Sequence, residues 1–223
     1  MQGAPFQALP FFPERSVFMG KITLKWHGHS CFSVTADDYT IVLDPFADGS
    51  VPGLPNLELH ANCVLCSHQH SDHGCTDVVT VTEQENSPFR ILKIDTFHDD
   101  EQGAKRGPNR IHILEVYGMR IVHFGDLGCM LTSEQIDLLK KADVLMIPVG
   151  GFYTIDADQA KEIVSVLGPN VVIPMHYRSD SFGYPVIGRL EEFTKYYNNI
   201  VTYGSNTLVL DADTKVQTAV LSL

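Results

Sequence analysis

His68-Gln69-His70-Ser71-Asp72-His73 is the stretch around which this chain is organised. It follows, after Ser67, the run Cys63-Val64-Leu65-Cys66, which is apolar and has the length of a short buried strand. A strand that ends in clustered imidazoles and a carboxylate points them at one place, and this set of donors suits zinc, and also manganese or iron. His68 and His70 can share one ion, whereas Asp72 and His73 follow a turn and face a second ion more easily. The spacing arises by chance on the order of once in a thousand such chains, so a His-rich polar loop is the weaker interpretation.

The same pattern, an apolar strand that ends in a metal-ligating residue, recurs at three later points: His98, Asp126 and His176. Ligands at strand ends allow a rigid sheet to present a site on its rim. His98 alone would fit a surface loop, but beside the first motif it is interpreted as a ligand. Asp126 lies close to two glycines after Ile-Val-His-Phe, which favours a carboxylate that bridges two ions.

Length and composition predict a single globular domain. The chain has 223 residues, of which 44% are hydrophobic, and this is enough for one full core. We expect the domain to span residues 21–223, behind an extended lead-in over residues 1–20 that contains three prolines, and Met19 is an alternative natural start. A net charge of −11 argues against a nucleic-acid partner, and no apolar run is long enough to span a membrane.

The cysteines and the N-terminal segment predict a cytoplasmic protein. Five cysteines, an odd number, together with the lack of a secretory signal pattern, indicate reduced thiols. Cys63 and Cys66 could form half of a zinc ribbon, but no second pair follows, so they are interpreted as part of a core strand. Cys75 and Cys129 are expected to pack near the ligands rather than to bind an ion.

The order of predicted elements is strand-rich at first and then alternates strands with helices. The predicted strands are Lys21–Trp26, Cys31–Thr35, Thr40–Leu43, Cys63–Cys66, Phe89–Ile94, Arg110–Val116, Met119–Phe124, Asp143–Pro148, Val171–Pro174, Thr207–Leu210 and Val216–Leu221. The predicted helices are the first turns over Thr76–Val81, Ser133–Lys141 behind a capping box from Thr132 to Gln135, Ala157–Leu167 capped by Asp156, and Gly188–Tyr197.

Four further polar residues near these strands have distinct expectations. Asp44 ends the third strand and is predicted to support a ligand rather than only to form a turn. His29 fits a residue that lines the site and a turn histidine equally well. His112 and His123 lie inside strands, where a packed histidine of the core or sheet face is the better interpretation.

These motifs resemble those of the metallo-β-lactamase superfamily, and within it the small UlaG-like branch that includes L-ascorbate-6-phosphate lactonase. The resemblance extends from about Lys21 to Tyr177 and includes Gly28-His29-Ser30, Leu43-Asp44-Pro45, Pro148–Tyr153 and Ile173–Tyr177. It implies an α/β fold, an αββα four-layer sandwich with the metal site at one edge. It also implies two divalent ions, Zn²⁺ first with Mn²⁺ or Fe²⁺ as alternatives: His68, His70 and His98 bind one ion, Asp72, His73 and His176 bind the other, and Asp126 bridges them.

The chain differs from some members of that superfamily. Asp126 stands where β-lactamases that use a cysteine on the second ion would have Cys. The short spacing from His73 to His98 leaves little room for an inserted nucleic-acid domain and makes His98 the least secure ligand. A role in antibiotic hydrolysis is therefore not expected.

The predicted chemistry is hydrolysis of a small ester, lactone or phosphoester. A pair of cations lowers the pKa of a shared water towards neutrality, so no protein nucleophile is needed, and Asp72 and Asp126 are the predicted catalytic residues. Arg106, Asn109 and Arg178 are predicted to hold an anionic substrate, although a solvated charged loop fits Arg106 equally well. Tyr177 is a candidate proton donor and substrate contact.

Two readings from other classes remain open on the sequence alone. The same ligands could hold iron in a redox enzyme, or they could form a non-catalytic metal-binding module. The predicted partner is a small-molecule substrate, and a homo-oligomer is left open.

Overall fold

The structure is a computed structural model that describes residues 20–223. The predicted lead-in, except for Gly20, and the alternative start at Met19 lie outside the described residues. The strands are β1 (Ile22–Gly28), β2 (Cys31–Ala36), β3 (Tyr39–Leu43), β4 (Leu59–Ala61), β5 (Cys63–Leu65), β6 (Val79–Val81), β7 (Arg90–Phe97), β8 (Pro108–Val116), β9 (Met119–His123), β10 (Val144–Pro148), β11 (Val171–Met175), β12 (Ile200–Thr202), β13 (Thr207–Leu210) and β14 (Gln217–Val220). The helices are α1 (Ser133–Leu139), α2 (Ala157–Leu167) and α3 (Glu191–Thr194).

Two large sheets and one short ribbon contain all of these strands. The five-stranded sheet, called the smaller sheet, has the order β13-β1-β2-β3-β5. The seven-stranded sheet, called the larger sheet, has the order β12-β14-β11-β10-β9-β8-β7, and the ribbon pairs β4 with β6. In the larger sheet the neighbouring pairs β9-β10, β10-β11, β11-β14 and β14-β12 are parallel, whereas β7-β8 and β8-β9 are antiparallel. The architecture is therefore mixed α/β.

The alternation of side chains along each strand builds the layers. In β2, Phe32 and Val34 are buried in the main core between the two sheets, while Cys31 points to the opposite face. On that opposite face a second apolar cluster contains Phe46 and Val51 from the loop after β3. The smaller sheet is consequently covered on its outer side by a loop and the β4-β6 ribbon.

The strands β10 and β11 are buried at every residue because both of their faces are covered. One face meets the main core, and α2 packs its buried residues against the other. The Asp156 side chain accepts from the backbone N–H of Gln159, and the Gln159 side chain accepts from the N–H of Asp156, which completes a capping box. Gly168 ends α2 in the left-handed conformation at φ 60°.

The strand directions bring the predicted ligands to one edge of the sandwich. β7, β9 and β11 run in the same direction in the larger sheet, and so do β1, β3 and β5 in the smaller one. The residues that follow them include His98, Asp126 and His176 from one sheet and His29, Asp44 and His68 from the other. His29, Asp44 and His176 have φ values of 51°, 47° and 54°, and strained backbone of this kind clusters at functional sites.

Some sequence predictions were wrong in this part of the fold. The helix expected over Thr76–Val81 is a single 3₁₀ turn, Thr76–Val78, followed by β6, because the β-branched residues pair with β4 as a strand. The helix expected over Gly188–Tyr197 shortens to α3, since Arg189 pairs with Arg178 in an isolated β-bridge and the helix begins only at Glu191. The strands β4 and β12 were missed, and both have only three residues.

The remaining predicted strands and helices are confirmed, with ends that differ by three residues or fewer. All five cysteines are free. Within residues 20–223, no helix combines the length and the apolarity needed to cross a bilayer.

Candidate metal centre

A buried carboxylate, Asp44, anchors the motif that follows β5. It accepts hydrogen bonds from the Ser67 backbone N–H and hydroxyl, both at 2.6 Å, and lies 2.9 Å from the Nδ1 of His73. Burial would raise the pKa of Asp44, but His123, His73 and Ser67 lower it to about 2, so the carboxylate is ionised. Asp44 therefore fixes the His73 ring with Nε2 facing away from it, as a residue that supports a ligand does.

Three imidazoles form what we call the outer group: His68, His70 and His98. The His68 ring centroid lies 4.6 Å from that of His70 and 4.7 Å from that of His98. The Ser67 hydroxyl lies 2.9 Å from the Nδ1 of His68, which leaves Nε2 for the group. His70 is exposed, so this group is open to solvent on one side.

Four residues form what we call the inner group: His29, Asp72, His73 and His176. One ligand atom from each lies within 4.8 Å of the others. The three histidines are fully buried, and the Asp72 side chain is 16% exposed. The sequence placed Asp72, His73 and His176 together through the family resemblance, and the structure adds His29 to them.

Asp126 lies between the two groups. Its Oδ2 atom is 3.1 Å from the Nε2 of His73, 3.3 Å from that of His176 and 3.3 Å from that of His98. It therefore contacts histidines of both groups, which is the arrangement that a bridging carboxylate needs. Gly125 makes this approach feasible, since a Cβ there would lie 2.3 Å from the Cβ of Ser67.

Burial and neighbouring charges shift the pKa values of residues in the centre. Burial would raise the pKa of Asp126, yet His176 and His73 hold it well below its usual range. Burial would lower the pKa of His73, but the carboxylates of Asp126 and Asp44 raise it well above 6.5. Burial lowers the pKa of His68 to about 3, which keeps that ring neutral.

The unpaired atoms of the centre show that its residues fit divalent metal ions. Buried side-chain atoms without a hydrogen-bond partner include Nε2 of His68, His73 and His176 and Oδ1 of Asp126. An unsatisfied buried polar atom costs about 1–3 kcal/mol, so such a concentration requires an occupant. Neutral imidazoles with carboxylates match Zn²⁺, and also Mn²⁺ or Fe²⁺.

A cleft of about 400 Å³ opens onto the centre. Its lining residues come from the metal groups and from three other loops: His70, Ser71, Asp72, His98, Arg106, Asp126, Tyr153 and Tyr184. The Tyr184 hydroxyl donates to the Ser50 carbonyl at 2.7 Å and lies 3.3 Å from Oδ2 of Asp72. The guanidinium carbon of Arg106 lies 5.5 Å from the centroid of the Tyr153 ring.

The loop that carries Arg106 is organised by Asp99, the residue after His98. The Asp99 carboxylate accepts hydrogen bonds from four backbone N–H groups, those of Glu101, Gly103, Lys105 and Arg106, at 2.7–3.0 Å. Desolvation would raise the pKa of Asp99, but these hydrogen bonds lower it to about 2. One carboxylate, on the residue next to a metal-ligand candidate, thus fixes the backbone that carries the cation of the cleft.

The structure does not bring three of the predicted substrate contacts to the cleft. Asn109 is buried and supports the Asp126 backbone: its Oδ1 accepts from the Asp126 N–H, and its Nδ2 donates to Thr96 and Phe124. Tyr177 is buried against Trp26, and the Arg178 Nε donates to the Ile187 carbonyl. Both line a different cleft. Sequence proximity to His176 was misleading because the chain turns away from the centre directly after it.

Sequence reasoning missed Tyr184 and Tyr153 as cleft residues and left His29 undecided. Tyr153 was noticed only as part of a family motif, and Tyr184 lies in an irregular segment that carries no signal. His123, expected to be a packed histidine, is one: its Nε2 donates to the Ser30 carbonyl and its Nδ1 accepts from the Gly125 N–H. Cys129 contacts the Phe97 carbonyl.

Comparisons with known proteins agree with this fold and centre. The family model "Beta-lactamase superfamily domain" matches residues 23–176. A Thermotoga maritima protein of known crystal structure, described as a Zn-dependent hydrolase of the metallo-β-lactamase superfamily, is 30% identical to this chain. The two structures superpose with a TM-score of 0.70, and the match covers 90% of this chain and 98% of the other. The two-sheet fold with a His/Asp centre at its edge is that of a metallo-hydrolase, and the predicted αββα class is confirmed.

The chain belongs to the metallo-β-lactamase superfamily. A protein from Thermoplasma acidophilum described as a UPF0173 metal-dependent hydrolase is 28% identical over 193 residues, which cover 72% of this chain and 85% of that protein. A metallo-hydrolase from Ignicoccus hospitalis shares the fold at 20% identity and a TM-score of 0.61. These relatives support the superfamily, while the UlaG-like branch stays a prediction.

Proposed function

We propose that the protein is a metal-dependent hydrolase that acts on a small anionic ester, lactone or phosphoester. The observation that carries the proposal is Asp126, whose Oδ2 lies within 3.3 Å of histidines from both groups beside an open cleft. The curated relatives described as metal-dependent hydrolases support the reaction class. The resemblance to the lactonase branch makes lactones the first substrates to test.

The outer and inner groups would each hold one divalent ion, with Asp126 shared between them. Bound cations supply Lewis acidity and a water nucleophile whose pKa is lowered towards neutrality. Asp126 and Asp72 line the cleft, so their carboxylates face the space where the scissile bond would lie. Asp44 and Asn109 keep His73 and Asp126 in place from behind.

The position of Arg106 in the cleft is the reason for proposing an anionic substrate. Among the described residues that line the cleft it is the one arginine, and no lysine accompanies it. Its guanidinium is held over Tyr153 and its backbone is fixed by Asp99, so it is pre-organised to pair with a carboxylate or phosphate. The Asp99-ordered loop makes this a built feature rather than a freely solvated charge.

Tyr184 takes the place that Tyr177 had in the sequence-based prediction of a proton donor. Burial, Asp72 and Tyr153 raise the pKa of Tyr184, so its hydroxyl keeps the proton at neutral pH. Its hydroxyl lies at the edge of the cleft near Asp72. We propose that it protonates the leaving-group oxygen when the bond breaks.

A screen of lactones, phosphodiesters and thioesters tests the reaction class, with protein stripped of metal and reloaded with Zn²⁺ or Mn²⁺. Turnover should require the added metal and vanish with a chelator. The proposal fails if fully loaded protein turns over none of these substrates.

Arg106→Ala tests the charge of the substrate. It should raise KM about 10- to 100-fold for an anionic ester, because a charge-assisted contact is lost, and change KM for a matched neutral ester by less than about twofold. Arg178→Ala is the control, since Arg178 lies in the other cleft and should change neither value. If Arg106→Ala raised KM equally for the anionic and the neutral ester, recognition of an anion by Arg106 would be contradicted.

A further inference from the structure

His29 is the one histidine of the centre that lies outside the motifs singled out as metal-binding. It follows β1 in the turn to β2, where Gly28 and His29 have φ values of 105° and 51°. The backbone is held in this conformation, since the indole N–H of Trp26 donates to the His29 carbonyl at 3.0 Å. The His176 N–H reaches the same carbonyl at 3.4 Å. The turn therefore fixes where the His29 ring lies.

The ring of His29 is buried with both nitrogens unsatisfied. The residue is 1% exposed, and neither Nδ1 nor Nε2 has a hydrogen-bond partner. The ring centroid lies 4.1 Å from that of His176 and 5.2 Å from that of His73. The Nε2 atom is 3.4 Å from Oδ2 of Asp72, and it belongs to the same set of donors within 4.8 Å.

Neighbouring histidines show what a purely structural histidine looks like in this protein. His123 is equally buried, and both of its nitrogens are hydrogen-bonded. His27, two residues before His29, has its Nε2 2.9 Å from the Ser33 hydroxyl. His112 leaves one buried nitrogen, Nδ1, without a hydrogen bond, whereas His29 leaves both without one and lies among other donors within 4.8 Å. The position of His29 together with its lack of hydrogen bonds therefore points to a ligand.

We propose that His29 is a fourth protein ligand of the ion held by the inner group. That ion would then have three imidazoles and the Asp72 carboxylate around it besides the shared Asp126, five protein donors against four for the outer ion, whereas a closed structural zinc site needs four. The outer group has three imidazoles, and its exposed His70 lines the cleft. The inner ion is therefore the tightly held one, and the outer ion keeps room for water and substrate. This inference rests on the two-ion centre of the proposed function.

The test measures metal binding rather than activity. Metal-free full-length protein is titrated with Zn²⁺ by calorimetry, and with Co²⁺ while its visible absorption, which depends on coordination number, is recorded. Wild type should bind two equivalents. His29→Ala and His29→Gln should each weaken one equivalent by about 100-fold or more, beyond the 10–100-fold typical of an outer-shell change, and should alter the Co²⁺ spectrum. His27→Gln, a change two residues earlier on β1, should bind both equivalents as wild type does.

The His29→Gln variant separates a ligand from a positioning role. The introduced amide could still donate a hydrogen bond to Asp72, but an amide is a poor zinc ligand. If His29→Gln binds as wild type and only His29→Ala is weakened, His29 positions Asp72 and the inference is overturned. Wild-type binding by both variants overturns it as well.

Two further readouts keep the result interpretable. Thermal melts of the metal-free variants report folding, and the rise of Tm on adding Zn²⁺ should be smaller for His29→Gln than for wild type, because ligand binding stabilises only the folded state. An equal rise would overturn the inference. One equivalent in the wild type would refute the two-ion function instead, and His29 would remain a ligand only if His29→Gln weakened that equivalent.

Discussion

The outer and inner groups differ in how the chain assembles them and in what surrounds them. Two of the three outer histidines lie two residues apart in one motif, and His70 is exposed. The inner group collects its donors from three places in the chain, the turn after β1, the motif and the residue after β11, and buries all three of its histidines. An open group suits exchange with water and substrate, whereas a closed group suits permanent binding of an ion.

The two groups also have different supports. The inner His73 is held by Asp44, a buried carboxylate whose pKa is about 2. The outer His98 is followed by Asp99, which orders a surface loop that carries Arg106. Changes near the inner group should therefore affect metal affinity, and changes near the outer group should affect substrate binding and turnover.

Asp126→Asn should have the largest effect because Asp126 touches both groups. We expect kcat/KM to fall by about three powers of ten, which corresponds to about 4 kcal/mol of barrier. Calorimetry should show weaker binding of both zinc equivalents. Asp95→Asn, an exposed change on β7, is the control and should leave kcat/KM and the binding of both zinc equivalents unchanged. Loss of only one equivalent would mean that Asp126 belongs to one group alone.

Tyr184→Phe should have the next largest effect and should act on the cleft rather than on the metals. We expect kcat to fall about 100-fold for an ester with a poor leaving group, because the proton donor is lost. The fall should be much smaller for a nitrophenyl ester, whose leaving group needs no proton. Binding of the outer zinc equivalent should not change, because the Tyr184 hydroxyl lies against Asp72 of the inner group. Tyr177→Phe is the control, because Tyr177 lines the other cleft. Equal losses with both leaving groups would assign Tyr184 a role other than proton donor.

Asp44→Asn should weaken one zinc equivalent by about 10–100-fold, since it removes the charge that orients His73. The binding of the second equivalent should change less, which calorimetry would show directly. A thermal melt of the metal-free variant checks that the network with Ser67 still folds. If both equivalents weakened alike, the separation into an inner and an outer ion would be lost.

The pH dependence of the Asp99 loop should be the smallest effect. Its carboxyl pKa is about 2 in the folded protein and 3.8 in an unperturbed group, so the ionised form holds the loop. The stabilisation is complete above about pH 4 and is lost as the pH falls through about 2. Hydrogen exchange at the Gly103 and Arg106 amides should accelerate over this range. Asp99→Asn should show fast exchange already at neutral pH, whereas unchanged exchange would contradict this role for Asp99.

The sequence was sufficient for features that depend on neighbouring residues. The six-residue motif, the glycines around Asp126, the capping box at Thr132 and the cap at Asp156 are all local patterns. The structure confirms the two caps, and at Asp156 it adds a full capping box. Binary patterning also gave most strands, since alternation along a strand reflects which face is buried. The short helix predicted after Cys75 was wrong because pairing with β4 outweighed local propensity.

The sequence by itself determined the donor types, the strand ends that carry them and the superfamily. Only the tertiary structure decided that His29 joins the inner group, that Tyr184 and Arg106 share the cleft, and that Tyr177, Arg178 and Asn109 do not. The physical reason is that a metal-binding motif is encoded by spacing along the chain. The walls of a cleft depend on which loops two packed sheets bring to the same edge, and no single segment encodes that.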